Sequence, residues 1–212
     1  MDNPLTGRCF TKVELENFKT LEERIQIKIN IERSIFIATL QHASSEEEAR
    51  AFISETNKSY IDATHNCPAC RVITKSGIVE FSSDAGEPSG TAGLPMLNTL
   101  RKHDLLNVAV VVTRYFGGVK LGVRGLIDAY SLAVQRAIEE AENNNRIIVK
   151  RRAYKQKLKI DFLSYGKKMQ QLSYIGVTIL DISYTEEYAY LEVLHDKPLD
   201  LPEVESREEV YV

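Results

Sequence analysis

Three short segments hold most of the residues that could do chemistry. The first, Asp62-Ala63-Thr64-His65-Asn66-Cys67-Pro68-Ala69-Cys70, places two thiols three positions apart beside an imidazole. Those are three candidate zinc ligands, with Cys9 as a remote fourth. No second CxxC or HxxxH pair completes a closed site, and the pair runs into a strand-like stretch rather than a helix start that would activate a thiolate. Buried or half-buried thiols beside a structural His65 are therefore expected, with no metal. The second segment, Ser82 to Gly93, carries Asp84, Gly86 and Glu87 in a run too rich in Gly, Ser and Pro for regular structure. Asp84 and Glu87 could work as a carboxylate pair or hold a hard cation. More plainly, Asp84 and the serines cap turns, Gly86 takes a left-handed conformation and Thr91 caps the next helix.

The third segment is Arg114-Tyr115-Phe116-Gly117-Gly118-Val119-Lys120-Leu121-Gly122-Val123-Arg124-Gly125. It comes after the apolar run Val108 to Val112, a buried strand, and precedes Leu126 to Glu142, which has helical spacing. Between a strand and a helix start, unpaired backbone N–H groups and the helix dipole favour an anion. Arg114, Lys120 and Arg124 could each neutralise a phosphate, with Tyr115 and Phe116 as a stacking surface and Gly117, Gly118 and Gly122 allowing close approach. The glycine spacing matches neither a P-loop nor a dinucleotide fingerprint, so ATPase and NAD chemistry are not expected. No Ser-His-Asp or Cys-His-Asn set is legible in the linear order, and neither a catalytic residue nor a cofactor is assigned.

The elements that must position these segments rest on local periodicity. Ile25, Ile27, Ile29 and Ile31 alternate as a half-buried strand, paired to a second over Ser34–Leu40. Ser44 or Ser45, with Glu47 or Glu48, forms a capping box for a helix through Phe52 and Tyr60. Arg71–Thr74 and Ile78–Phe81 form a hairpin about Lys75-Ser76-Gly77, and Pro95–Lys102 a short helix. Consecutive asparagines at 143–145 mark a boundary, giving domains 1–145 and 146–212. In the second, a strand through Tyr154, Leu158 and Ile160, a helix over Tyr165–Tyr174 and a hairpin (Val177–Tyr184, Tyr188–Leu194) give the order β-α-β-β of a small ferredoxin-like domain, with an acidic tail from Leu199.

The 212 residues carry a net charge of −3, which argues against a protein that coats nucleic acid generally. Residues 101–124 nevertheless hold five Lys or Arg against one acid, Asp104, so a local basic patch on an acidic body is expected. Apolar and charged fractions of 43% and 27% are ordinary for a globular protein, no run approaches a membrane span, and the start Met1-Asp2-Asn3-Pro4 lacks a signal-peptide layout. Cytoplasmic residence and no membrane partner are therefore expected.

At Phe81–Leu97 and Val111–Gly122, with Asp62-Ala63, His65 and Cys67 between the strands, the chain resembles the IMPACT/YigZ family. The likeness covers roughly Ile31 to Ala141. It implies an α+β fold: an N-terminal two-layer domain of the ribosomal-protein/elongation-factor-G domain IV type, a sheet backed by two helices, and a ferredoxin-like C-terminal domain. Eukaryotic members act in translational control by binding the ribosome-associated activator of the amino-acid-starvation kinase, and nucleic-acid binding has been inferred from the fold. Asp62, His65, Asp84, Gly86, Glu87, Arg114, Tyr115, Gly117, Gly118, Lys120 and Gly122 carry over as candidate surface residues. Departures are Ile35 where a basic residue is usual, Arg124 where a small one is common, and Cys70, which is outside the pattern. A non-enzymatic module is expected, binding RNA, the ribosome or a translation-regulatory protein, the alternative being a hydrolase that uses His65, Asp84 and Glu87.

Overall fold

A computed structural model describes residues 15–74 and 76–212; Cys9, the Met1–Pro4 start and Lys75 of the expected turn lie outside them. The chain divides into two compact units, one containing Phe18–Val149 and the other Leu15–Asn17 with Lys150–Val212.

The first unit is built on an antiparallel sheet in the order β2-β3-β6-β4-β5, with β2 Ile25–Ile31, β3 Ser34–His42, β4 His65–Thr74, β5 Gly77–Ser82 and β6 Val108–Tyr115. The short β1, Asn17–Leu21, precedes them. Strand β6 is central, which explains its unbroken apolar run: a strand buried on both faces gains nothing from alternation. Val108, Val110 and Val112 face one way, with Phe36, Leu40 and Cys67, onto α2 (Gly93–Lys102) and α3 (Gly122–Asn143). Ala109 and Val111 face the other, with Cys70 and Val72, onto Phe52 of α1 (Glu46–Ser59). The expected two layers are thus extended by a third: α1 covers the face opposite the other two helices.

Ser45 is the N-cap of α1, its hydroxyl accepting the Glu48 N–H at 3.2 Å, while the Glu48 carboxylate reaches back to the Ser44 N–H at 2.7 Å. Helix α2 has no such cap of its own. Thr91, expected to cap it, donates instead to the Pro88 carbonyl, and the N-cap is Ala92. Helix α3 begins at Gly122, four residues earlier than the apolar spacing suggests, so Gly122, Arg124 and Gly125 are helical and not part of the preceding loop.

The second unit holds β7 (Ile147–Asp161, which begins in the first unit), α4 (Tyr165–Tyr174), β8 (Thr178–Tyr184), β9 (Tyr188–His195) and β10 (Val204–Tyr211). Its strands run β10-β7-β9-β8, all antiparallel, over a core of Leu158, Ile160, Leu172, Leu191 and Val193. The acidic tail expected after Leu199 supplies β10, and the stretch between β9 and β10 contains no helix. Among the described residues no helix is long and apolar enough to cross a membrane.

Candidate functional site

The three segments converge at one corner of the first unit. Register places His65 of β4 and Phe36 of β3 on either side of Arg114 on β6. Arg114 is only 5% exposed, and its Nη1 donates to Glu87 Oε1 at 2.7 Å. The same oxygen accepts the Tyr130 hydroxyl at 2.8 Å; Tyr130 is fully buried on α3, and the Cys67 sulfur lies 3.4 Å from its oxygen while donating its hydrogen to the nearer Asp84 carbonyl at 3.0 Å. The Arg114 guanidinium lies between the Phe36 and Phe116 rings, 5.5 and 5.4 Å from their centroids, a favourable place for a weakly hydrated cation. The network therefore ties the glycine-rich loop, β3, β4, β6 and α3 together.

This corrects the expected roles of several residues. Arg114 is a buried, paired structural cation and not an exposed phosphate contact. Arg124 pairs with Asp128 one turn along α3 at the surface, and Arg101 shares Glu80 with Arg71, so the positive excess counted over 101–124 is offset in part. Lys120 is exposed, and no ion pair involves it among the described residues. Tyr115 donates its hydroxyl to Asp62 at 3.0 Å, which anchors one edge of the corner.

The Asp84 carboxylate is taken up entirely by backbone. It accepts from the N–H groups of Gly90, Ala92 and Gly93 at 2.8–2.9 Å, so this distant side chain caps α2. Burial would raise its pKa, but the three donors outweigh that and hold the carboxyl below its usual value. The expected carboxylate pair does not exist: Asp84 serves a helix end and Glu87 an arginine and a tyrosine. Gly86 (φ +90°) lies under the imidazole of His65, where a Cβ would come within 3.2 Å of Nδ1. That nitrogen also sits 3.0 Å from the Ala85 carbonyl. A carbonyl only accepts, so Nδ1 carries the proton and Nε2 faces Glu87 Oε2 at 4.0 Å.

The thiols are separated by geometry. Residues three apart in a strand point to opposite faces, and Cys67 and Cys70 accordingly belong to cores on opposite sides of the sheet. They cannot share a metal. Burial pushes both thiols up to about 12, and among the described residues no group of three metal-ligating side chains is assembled.

Above the network opens a pocket of about 480 Å³, lined by Thr64, His65, Glu87, Pro88, Arg114, Phe116, Lys120 and the start of α3 (Leu121, Gly122, Val123, Leu126). Phe116 and Val123, at 45% and 62% exposure, form its rim. Gly117 makes this possible: any Cβ there would overlap the Arg33 backbone in the β2–β3 turn. Gly118 (φ +86°) then turns the chain toward Lys120. A larger surface groove between α2 and α3, of about 900 Å³, gathers none of the candidate residues. Sequence reasoning missed Tyr130, whose helical spacing looks like ordinary core, and Leu121, Val123 and Leu126 as pocket walls.

Residues 32–138 match the family model described as the Impact N-terminal domain, a stretch that holds the whole corner. The chain belongs to the IMPACT family. It is 36% identical over 183 residues to the IMPACT family member YvyE of Bacillus subtilis, spanning 86% of this chain and 82% of that protein. It is 38% identical to the IMPACT family member YigZ of Escherichia coli over 52% of this chain and 54% of that one. A crystal structure described as that of a hypothetical protein superposes with a TM-score of 0.61 at 27% identity, over 85% of this chain and 86% of the other. The IMPACT match therefore reaches into the second unit with some relatives and covers little more than half the length of others.

Proposed function

We propose that this IMPACT family protein is a non-enzymatic binding protein of the translation apparatus, and that its first unit engages a protein partner through the corner at Phe116, Lys120 and Val123. The fold types implied by the resemblance, elongation-factor-G domain IV for the first unit and a ferredoxin-like second unit, belong to this reading. The observation that carries it is the contrast between the corner's base and its rim. At the base, Glu87 is buried and held by Arg114 and Tyr130. The rim presents an aromatic ring, an aliphatic side chain and one cation to solvent. A central apolar anchor with a charged edge is how protein interfaces concentrate their energy. A nucleic-acid backbone calls for several free cations in a row, and here Arg114 is buried against Glu87, while Arg101 and Arg124 each hold an ion pair, with Glu80 and with Asp128.

Co-sedimentation of the full chain with ribosomes, across a salt series and after nuclease treatment of exposed RNA, tests this reading. Association is expected to survive 0.5 M salt and mild nuclease. Association abolished by either would place the partner's phosphates in the contact and overturn it. The hydrolase alternative lacks a free general base at Asp84 or Glu87, and turnover abolished by both His65→Ala and Asp84→Asn would be needed to restore it.

A further inference from the structure

We infer that the second unit self-associates through β8, whose free edge pairs antiparallel with β8 of a second copy about a two-fold axis at Ser183. Among the described residues, β8 pairs with β9 on one side and with no strand on the other. Half of the large apolar side chains exposed among the described residues fall between Phe162 and Tyr184, on β8 or in the stretch leading to it. Natural sheets guard a free edge with charge, proline or brevity. The opposite margin follows that rule, since β10 exposes Glu205, Glu208 and Glu209. The seven-residue β8 has Asp181 as its one charge and no proline, so its edge is open to a partner strand.

The backbone selects what can pair there. The Thr185 N–H donates to the Tyr188 carbonyl at 2.8 Å. Hydrogen-bonded pairs with β9 therefore fall at Thr185, Ser183 and Asp181, and Ile182 and Tyr184 turn their N–H and C=O groups outward. A bulge between Ile179 and Asp181 leaves Leu180 without an opposite residue and ends the regular edge there. A two-fold pairing must set one residue against its own copy. Centred on Asp181 it opposes two carboxylates, and centred on Ile182 it runs Tyr184 against the bulge. Centred on Ser183 it uses the outward groups of Ile182 and Tyr184 in both copies. Every opposed pair is then compatible: Ile182 with Tyr184, Ser183 with Ser183, Asp181 with Thr185. A β-branched residue facing an aromatic one is a favoured cross-strand pair. Tyr184 is already ordered for it by stacking on Phe162, with ring centroids 6.4 Å apart and 19° between the planes. The match is a property of the strand itself, which makes a second copy its fitting partner.

The experiment is sedimentation equilibrium of the full chain, with variants at the exposed Ser183. The parent is expected to show dimer at about 100 μM, as a transient interface would. Ser183→Asp and Ser183→Lys, which oppose like charges across the axis, should each weaken the dimer about fivefold, and an equimolar mixture of the two should restore it. In a chain that also carries Cys9→Ser, Ser183→Cys should form an intermolecular disulfide under oxidised glutathione, because a non-hydrogen-bonded pair brings the Cα atoms to about 4.5 Å. Ser206→Cys, exposed on β10, should not. A parent that stays monomeric at about 100 μM, a dimer indifferent to both charges, or crosslinking through Ser206→Cys as fast as through Ser183→Cys would overturn the pairing. Association with ribosomes is read separately, so failure of either claim leaves the other standing.

Discussion

Arg114 is the residue on which the corner depends, and its role is structural before it is functional. Removing one partner of a buried ion pair leaves the other charge uncompensated, at a cost of about 3–5 kcal/mol. Arg114→Ala should therefore lower the unfolding free energy of the first unit by about that amount, measured by urea denaturation, because Glu87 and Tyr130 are left without their cation. A loss near zero would mean that the pair is not formed. The double change of Arg114→Met with Glu87→Met should cost less than Arg114→Ala alone, since it leaves no buried charge. The basic character of Arg114 is plain from its chemistry, whereas its burial is not. Its partner lies 27 residues away, across a turn, a helix and a strand, and no local pattern encodes such a pairing.

At the scale of elements, the loop from Ser82 to Gly93 and helix α2 are coupled through Asp84. The folded carboxyl has a lowered pKa, so its contribution is complete above the unfolded value of about 3.9 and is lost as pH falls through the folded one. Asp84→Asn should cost about 1 kcal/mol at neutral pH, as for other helix caps. The gap between the variant and the parent should narrow from about pH 3.9 downward, tracked by thermal unfolding at several pH values. A gap independent of pH would show that the carboxylate charge plays no part. Strand β4 makes a second element-scale prediction. Cys67 and Cys70, both pushed up to about 12, should resist alkylation at pH 8 in the folded protein and react once it is unfolded, as mapped by mass spectrometry. Rapid labelling of either thiol in the folded chain would contradict the burial. The elements themselves are largely legible because each rests on local periodicity: the isoleucines of β2, the valines of β6, the Ser45–Glu48 box of α1. The start of α3 is not, since Gly122, Arg124 and Gly125 look like loop residues and are drawn into the helix by the apolar positions from Leu126 onward. The strand-like setting of the two cysteines is visible in the chain, and their spacing of three then puts them on opposite faces of the sheet; that helices cover both faces and bury both thiols depends on partners far away in sequence.

For the whole molecule, charge behaves differently in sequence and in space. Five cations within 24 residues suggest a patch, yet each arginine among them is paired with an acid: Arg101 with Glu80, Arg114 with Glu87, Arg124 with Asp128. All three acids lie outside the window, so local counting does not see them. What remains at the corner is an apolar rim with Lys120, in a chain whose net charge is −3, and this favours a protein surface over a phosphate backbone as the partner. The measurement that bears most directly on that claim is ribosome co-sedimentation of the full chain at 0.5 M salt, comparing the parent with Phe116→Ala and Lys120→Ala. Phe116→Ala should abolish association at this salt, while Lys120→Ala, whose contribution is screened there, should leave most of it. Equal retention of all three, or loss with Lys120→Ala alone, would contradict the account.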